Sequence, residues 1–180
     1  MTDYFALLDE ARRPWLDPEQ LKEKYFARSR AAAPDAELNE AFRVLRDPKL
    51  RLQHLLKLAR VDLSAGREVP RALAELFWNT GVLLSEVDRW LLRQAEAGSA
   101  LSRALLSGER SKLEGKLAAL EVHLSAAYEK ELEQLRQMNE MKLPDEIEKL
   151  VLRYDAIAYL TRLCEQVNEK RFRLESSSAG

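Results

Sequence analysis

The chain has 180 residues, of which 46% are hydrophobic and 33% charged, and its formal net charge is −1. This length corresponds to one large domain or two small ones, and the near-neutral charge argues against nucleic acid or an anionic membrane as the main partner. Its single cysteine, Cys164, excludes an internal disulfide bond and is typical of a reducing compartment.

The composition predicts helix throughout. Six glycines and six prolines are few for this length, and alanine, leucine, glutamate, lysine and arginine dominate. The N-terminus has no basic segment followed by an apolar one. The uncharged run from Leu76 to Ser85 is too short to cross a bilayer. We therefore predict an all-α, cytoplasmic protein without a membrane partner.

The first 60 residues contain several helix signals. Residues 3–9 predict a short apolar helix. Asp17-Pro18 and Asp47-Pro48 each predict a helix start, because aspartate is a good N-cap and proline suits the first helical position. The segment between these two starts is the most informative part of the chain.

That segment predicts a helical hairpin with its turn at residues 33–35. Pro34 stops the first helix because proline disfavours helical backbone at the preceding residue and has no N–H. Asp35 can cap the second helix by accepting its free amide donors. We expect the two helices to lie antiparallel and to pack through apolar faces at helical spacing. These faces are Leu21 and Tyr25 before the turn, and Leu38, Ala41, Phe42 and Leu45 after it.

From Pro70 onward the spacing predicts three long amphipathic helices in an up-down-up bundle. Residues 61–69 lose helical periodicity and predict a linker, and residues 176–180 predict a disordered tail. Gly98-Ser99 and Ser107-Gly108 predict two interruptions, with a short helical piece between them. The predicted apolar faces are Leu73, Leu76/Phe77, Thr80, Leu83/Leu84, Val87 and Trp90/Leu91; then Leu113, Leu117, Leu120, Leu124, Tyr128, Leu132, Leu135 and Met138; then Ile147, Val151, Tyr154, Ala158, Thr161, Cys164 and Val167.

The hairpin resembles the J-domain of DnaJ-type co-chaperones, and most of all the HscB type, which serves iron–sulfur cluster assembly. The resemblance lies in the run Leu21…Tyr25…Ala33-Pro34-Asp35…Leu38-Asn39-Glu40-Ala41-Phe42…Leu45-Arg46-Asp47-Pro48. Residues 3–8 resemble the first helix of that family, and residues 51–63 resemble its fourth helix and exit. The likeness extends over about the whole chain. It implies a short J-domain-like helical hairpin domain at 1–60, followed by a three-helix C-terminal bundle at 70–175 that binds a client.

The resemblance implies a co-chaperone that bridges a DnaK-type chaperone and an iron–sulfur scaffold protein, without a cofactor. The chaperone contacts that it implies are Lys22, Lys24, Arg28, Pro34 and Asp35. From the residues alone, two other interpretations stay open: the three cations are ordinary solubilising charge, and Pro34 and Asp35 are a turn and a helix cap.

The turn departs from the family pattern, which has His-Pro-Asp where this chain has Ala33-Pro34-Asp35, and the loop after it is shorter. An imidazole offers a donor and an acceptor, whereas an alanine methyl group offers neither. We therefore predict weak or absent stimulation of the chaperone ATPase. The alternative function is a J-like scaffold or regulatory protein that no longer activates a chaperone.

Some large apolar residues fall off the predicted bundle faces. Trp78 and Val82 on the first long helix, and Leu152 and Tyr159 on the last, are expected to share one exposed face of the kind that marks protein interfaces. The resemblance places Phe77, Trp78 and Tyr159 at client-contacting positions, with Gly81 where the family has a leucine. The alternative is that Trp78 and Tyr159 pack against the N-terminal part.

No enzymatic constellation is evident in the sequence. It contains no glycine-rich phosphate loop, no paired histidines at metal-ligand spacing and no nucleophile with a base. His54 and His123 are interpreted as packing or surface residues, and Cys164 as a small hydrophobe on an apolar face. We therefore predict neither an enzyme nor a metal site.

Overall fold

The structure, a computed structural model, describes residues 2–31, 36–63, 70–140 and 147–177. These ranges contain helices and turns and no β-strand, which confirms the predicted all-α class. Short 3₁₀ turns at Arg71–Leu73 and Met138–Glu140 precede the fifth α-helix and follow the sixth. The α-helices of the described chain are α1 (Tyr4–Leu7), α2 (Pro18–Ala31), α3 (Ala36–Arg46), α4 (Pro48–Leu58), α5 (Ala74–Glu96), α6 (Ala100–Gln137) and α7 (Ile147–Ser176).

Two of these helices begin at the predicted Asp-Pro signals. Asp17 Oδ1 accepts hydrogen bonds from the first free amides of α2, at 2.9 and 3.1 Å. Asp47 Oδ1 accepts from the Leu50 N–H at 2.9 Å in α4. In both cases the residue after the aspartate is the proline that opens the helix, Pro18 or Pro48, so both predicted starts are confirmed.

The chain divides into two compact units. The first unit comprises Met1–Glu68 and Lys130–Ala158, and the second comprises Val69–Glu129 and Tyr159–Gly180. Helices α6 and α7 each contribute part of their length to each unit. The predicted boundaries at 60, 70 and 175 stay predictions. Of the predicted linker, residues 64–69 lie outside the described part, as do residues 178–180 of the predicted tail.

In the first unit, α3 contacts α1, α2 and α4. The apolar spacing explains this position, because the face predicted for α3 is the one that is buried. The aromatic members of the two hairpin faces, Tyr25 and Phe42, stack with their ring centroids 4.3 Å apart. The buried apolar residues of these four helices are Phe5, Leu21, Leu38, Ala41, Val44, Leu45, Leu52, Leu55 and Leu56.

Polar side chains fix the connections inside the first unit. The buried Arg51 donates from Nε to the Pro14 carbonyl at 2.9 Å and from Nη1 to the Leu45 carbonyl at 2.7 Å. Asn139 Oδ1 accepts the backbone N–H of Trp15 at 3.0 Å. The connector between α1 and α2 is thereby tied to α4 and to the turn after α6.

In the second unit, the predicted faces of α5 and α6 are buried almost as expected. Thr80, Leu83, Val87 and Trp90 of α5 are buried, and the indole Nε1–H of Trp90 donates to the Leu106 carbonyl at 2.9 Å. On α6 the buried residues of this unit are Leu106, Leu113, Leu117, Leu120 and Leu124.

One predicted interruption is wrong. Helix α6 begins at Ala100, as the Gly98-Ser99 signal indicates, but it continues through Ser107 and Gly108 to Gln137. A glycine in a helix interior costs only about 1 kcal/mol relative to alanine, and no described glycine has a positive φ. Burial of the leucines on either side of Gly108 stabilises the helix by more than this small cost.

The predicted apolar face of α7 is also partly wrong. Of its seven members Val167 is buried, whereas the other six, from Ile147 to Cys164, are half-buried. The face that is buried is displaced by about one residue. It comprises Leu150, Ala156, Ile157, Leu160, Leu163, Val167 and Leu174. The sequence of α7 is apolar over two neighbouring stripes, so helical spacing fits both, and packing against the other helices selects one.

Candidate functional site

The basic face of α2 is the first predicted site, and its three cations are in different situations. Lys24 donates to the Asp9 carbonyl at 2.6 Å and forms an ion pair with Glu10 at 3.1 Å, so it ties α2 to the end of α1. Lys22 pairs with a glutamate one turn earlier at 3.4 Å. Arg28 is exposed and has no ion-pair partner among the described residues. Of the three, Arg28 has the charge most available to a partner.

The turn of the hairpin lies outside the described residues. The predicted contacts Pro34 and Asp35, and the departure at Ala33, therefore rest on the sequence. What the structure describes on either side is α2, which ends at Ala31, and α3, which begins at Ala36.

The second predicted site is an exposed apolar area on α5 and α7 within the second unit. We call Phe77, Trp78, Val82 and Tyr159 the aromatic patch. Trp78 is 70% exposed, and Phe77 and Val82 are each 45% exposed. The Phe77 ring lies tilted against the Tyr159 ring, with the centroids 5.7 Å apart. The structure thus brings together two of the three predicted client contacts, with Trp78 next to Phe77 in the same helix.

Tyr159 presents a polar atom beneath this patch. Its hydroxyl oxygen is buried and finds no hydrogen-bond partner among the described residues. Burial raises the pKa of this phenol, so the group stays protonated and remains a hydrogen-bond donor at neutral pH. Leu152, which was expected on the same face, is exposed but belongs to the first unit.

A cleft of about 430 Å³ between α5 and α6 continues from the patch. Trp78 and Val82 line it on one side and His123 on the other, and the ion pair between Glu86 and Lys116, at 2.6 Å, lies along it. The open apolar surface therefore extends beyond the predicted residues toward α6. Sequence spacing did not indicate this extension, because His123 was interpreted only as a surface or packing residue.

A charged residue at the edge of the patch was also missed. Arg162 is exposed, lies one helical turn after Tyr159 and has no ion-pair partner within the described residues. Its charge acts on the Tyr159 phenol, which places it near the patch. Its spacing of three residues from Tyr159 on α7 is the sequence signal that could have identified it.

The described residues offer no metal site and no membrane span. They contain no group of three or more histidine, cysteine, aspartate or glutamate side chains that could hold a metal ion. No described helix is both long enough and apolar enough to span a bilayer. Burial and the nearby carboxylates of Glu121 and Glu165 raise the pKa of the Cys164 thiol, which keeps it a thiol rather than a nucleophilic thiolate.

Among solved structures, the chain is similar to the chaperone HscB from Vibrio cholerae. The TM-score is 0.62 at 17% identity, over 96% of this chain and 99% of that one. The chain has an HscB-like fold. It is also similar to the crystal structure of the human co-chaperone protein HscB, with 20% identity, a TM-score of 0.45, and coverage of 95% of this chain and 83% of that one. No protein-family profile matches the chain, and no curated protein sequence matches it.

The HscB-like fold confirms the fold predicted from the resemblance in the hairpin. The extent of the match is informative, because 96% coverage of this chain requires both the hairpin helices and the long C-terminal helices. A lone J-domain-like hairpin would match only the first third of the chain. At 17% identity the similarity concerns the fold, and the side chains of the two candidate surfaces have to be judged on this chain alone.

Proposed function

We propose that this chain is a co-chaperone that bridges a DnaK-type chaperone and an iron–sulfur scaffold protein. The observation that carries the proposal is the HscB-like fold over 96% of the chain. The J-domain-like residues of the hairpin, from Leu21 to Pro48, also support it. The chain makes no covalent bonds in this role, and any ATP hydrolysis takes place in the partner.

The aromatic patch is the proposed client surface. Large aromatic side chains that are exposed and adjacent are typical interface anchors, since their burial by a partner removes much apolar area from water at a low cost in side-chain entropy. Trp78 and Phe77 have this character because each keeps a large part of its ring accessible.

Scaffold binding by the Trp78→Ala variant tests the aromatic patch as the client surface. We expect the affinity for the purified iron–sulfur scaffold protein of the same organism to fall at least about tenfold, because loss of a central interface tryptophan commonly costs ~2 kcal/mol or more. The measurement is isothermal titration calorimetry with the full chain.

Phe172→Ala is the matched control for that test. Phe172 is an aromatic residue of the same unit that is 69% exposed but not part of the patch. Its replacement is expected to leave the affinity unchanged within about twofold. Equal losses for both variants, or none for either, would contradict the proposed client surface.

The proposed chaperone-binding surface is the basic face of α2 together with the hairpin turn. Arg28 is exposed there without an ion-pair partner among the described residues, and Lys22 is also exposed. We propose that these two cations meet an acidic surface of the chaperone and that Pro34 and Asp35 complete the contact. Lys24 contributes mainly by holding α2 in place, because its ammonium group is already engaged by Glu10 and Asp9.

ATP turnover by the cognate DnaK-type chaperone tests this surface. We expect weak or no stimulation by the natural chain and higher turnover with Ala33→His, because the imidazole restores a donor and an acceptor in the turn. Ala32→His, one residue earlier, is the control that adds the same side chain at the wrong place. Strong stimulation by the natural chain would show that the histidine is dispensable here.

A second candidate function is a J-like scaffold or regulatory protein that no longer activates a chaperone. The alanine at position 33 favours it, since this is the position at which the resembled family carries histidine. The two candidates share the client surface and differ in the chaperone-binding surface. If Ala33→His does not raise the rate of ATP turnover although the chain still binds the chaperone, the assay favours this second candidate.

A further inference from the structure

We propose that Gly81 forms a notch in the aromatic patch that receives one large apolar side chain of the client, so that this glycine determines which partner fits. The inference rests on the proposed client-binding function and adds the shape of the site to it. It assigns a specificity role to a residue with no side chain, on the exposed face of α5.

Nothing among the described residues explains why residue 81 is a glycine. It lies in the interior of α5, where alanine is favoured over glycine, and its backbone is not in the left-handed region that requires glycine. Apart from the adjacent residues and the backbone of its own helix, a Cβ atom added at Gly81 would meet no described atom within 4 Å. The absence of a side chain is therefore not needed for packing within the fold, and it leaves open space at the surface.

The neighbours of Gly81 give this open space walls. Phe77 and Trp78 lie one helical turn before it, and Ser85 lies one turn after it. Helical side chains lean toward the N-terminus, so Ser85 is the residue that would cover Gly81. Its hydroxyl instead donates to the Gly81 carbonyl at 2.9 Å. Along α5, the notch therefore lies between the positions of Phe77 and Trp78 and that of the small Ser85, over a backbone carbonyl that is already paired.

The surrounding charges favour an apolar occupant with an acidic neighbour. Glu86 and Asp88, which follow the notch on α5, form ion pairs with Lys116 and Lys170. A cationic group entering the notch would therefore find these two carboxylates already paired. Arg162, at the Tyr159 edge of the patch, has no ion-pair partner in the described part of the chain. The complementary occupant is a segment of the client protein with a large aliphatic or aromatic side chain and a carboxylate that reaches Arg162.

Gly115 shows that an open glycine alone does not make such a notch. It lies in the interior of α6 in the same unit, and an added Cβ would also meet nothing within 4 Å. The residues one turn away from it, however, are serine, lysine and alanine rather than aromatic residues. Gly115 therefore supplies a matched control with the same backbone effect and without the aromatic walls.

The test is a size series at both glycines, with two measurements on the full-length protein: the thermal midpoint and the affinity for the purified iron–sulfur scaffold protein. We expect Gly81→Ala and Gly115→Ala each to raise the midpoint by about 2–4 °C, because alanine is the better helix former. The affinity should fall several-fold for Gly81→Ala and at least about tenfold for Gly81→Leu. Gly115→Ala and Gly115→Leu should leave it unchanged.

A higher thermal midpoint together with a weaker affinity for the scaffold protein, seen at Gly81 but not at Gly115, would support the notch. A glycine with a merely structural role cannot produce that combination. Unchanged affinity in Gly81→Ala and Gly81→Leu, with Trp78→Ala still weakened, would overturn the notch and leave the client surface intact. Unchanged affinity in all three variants would overturn the proposed client surface itself. A lower midpoint for Gly81→Ala would contradict the open space that the inference requires.

Discussion

The two compact units of this chain bury different kinds of residues. Of the four buried polar or charged residues among those described, Arg51, His54 and Glu131 belong to the first unit and Thr80 to the second. Each of the three has a specific partner inside its own unit; Glu131, for example, accepts a hydrogen bond from Arg153 at 2.8 Å. The first unit thus adds buried polar contacts to its apolar core, whereas the described buried residues of the second unit are apolar except for Thr80.

The candidate client surface of the second unit lies outside that unit's apolar interior. Directional hydrogen bonds determine geometry, while apolar burial depends mainly on area. In the second unit the leucine faces of α5, α6 and α7 fill the interior, and the ion pairs between helices, such as Arg171 with Glu121 at 2.8 Å, lie on the outside. The large residues Phe77 and Trp78 are not required in that interior and remain available to a partner.

The largest effect that we predict contrasts two tryptophans of α5. Trp90→Ala should destabilise the protein by about 3–5 kcal/mol, because Trp90 is 2% exposed and donates its indole N–H to the Leu106 carbonyl. Trp78→Ala should change the free energy of unfolding by less than about 0.5 kcal/mol, since its ring is mostly in solvent. The thermal midpoint of each variant, monitored by circular dichroism, provides the measurement. A large loss for Trp78→Ala would assign that ring to packing and weaken its proposed binding role.

An intermediate effect is predicted for arginines of the first unit. Arg51→Met should cost about 2–4 kcal/mol, because it leaves the Pro14 and Leu45 carbonyls without their charged donor in a buried place. Arg43→Met, in which an exposed pair with Glu40 is lost, should leave the urea midpoint nearly unchanged. Urea unfolding of both variants gives the comparison. If both variants lost a similar amount of stability, the buried contacts of Arg51 would not be important for the stability of the first unit.

The fold could be predicted from local signals wherever one signal was unambiguous. Asp17 and Asp47 identified two helix starts because an aspartate N-cap followed by proline leaves little alternative. The face of α7 was misplaced because apolar residues occupy two neighbouring stripes of that helix. The continuation of α6 through Gly108 was missed because spacing gives no measure of how weakly one glycine opposes a long helix.

The candidate site was only partly accessible to sequence reasoning. Trp78 and Val82 could be predicted as exposed because they fall off the apolar face of α5, and both are exposed. The ring contact between Phe77 and Tyr159 joins residues on two helices and depends on how those helices pack. The buried Arg51 gave no sequence signal, because an arginine at one position of an amphipathic helix is usually solvated.

The smallest predicted effect concerns pH and the only titratable ring buried among the described residues of the first unit. His54 is 6% exposed, its Nε2 accepts the Tyr4 N–H at 3.1 Å, and its ring stacks on that of Tyr4 at 4.5 Å. Nε2 can accept only while the ring is neutral. Burial lowers the pKa of His54 below its ordinary value of 6.5, as do the charges of Lys57 and Arg12, while Asp3 opposes the shift.

Because the pKa of His54 is lowered in the folded chain, the unfolded chain binds more protons between the lowered value and 6.5. The stability that the neutral ring contributes is therefore complete above pH 6.5 and is lost as the pH falls through the folded value. We expect His54→Gln, which keeps an acceptor without a titrating ring, to reduce the loss of stability between about pH 7 and about pH 5.5. The reduction should not exceed the roughly 0.5–1.5 kcal/mol of one hydrogen bond. Urea midpoints at both pH values measure it, and the exposed His123→Gln should retain the natural pH profile. Identical profiles of stability against pH for the natural chain and His54→Gln would show that the neutral His54 ring does not stabilise the first unit.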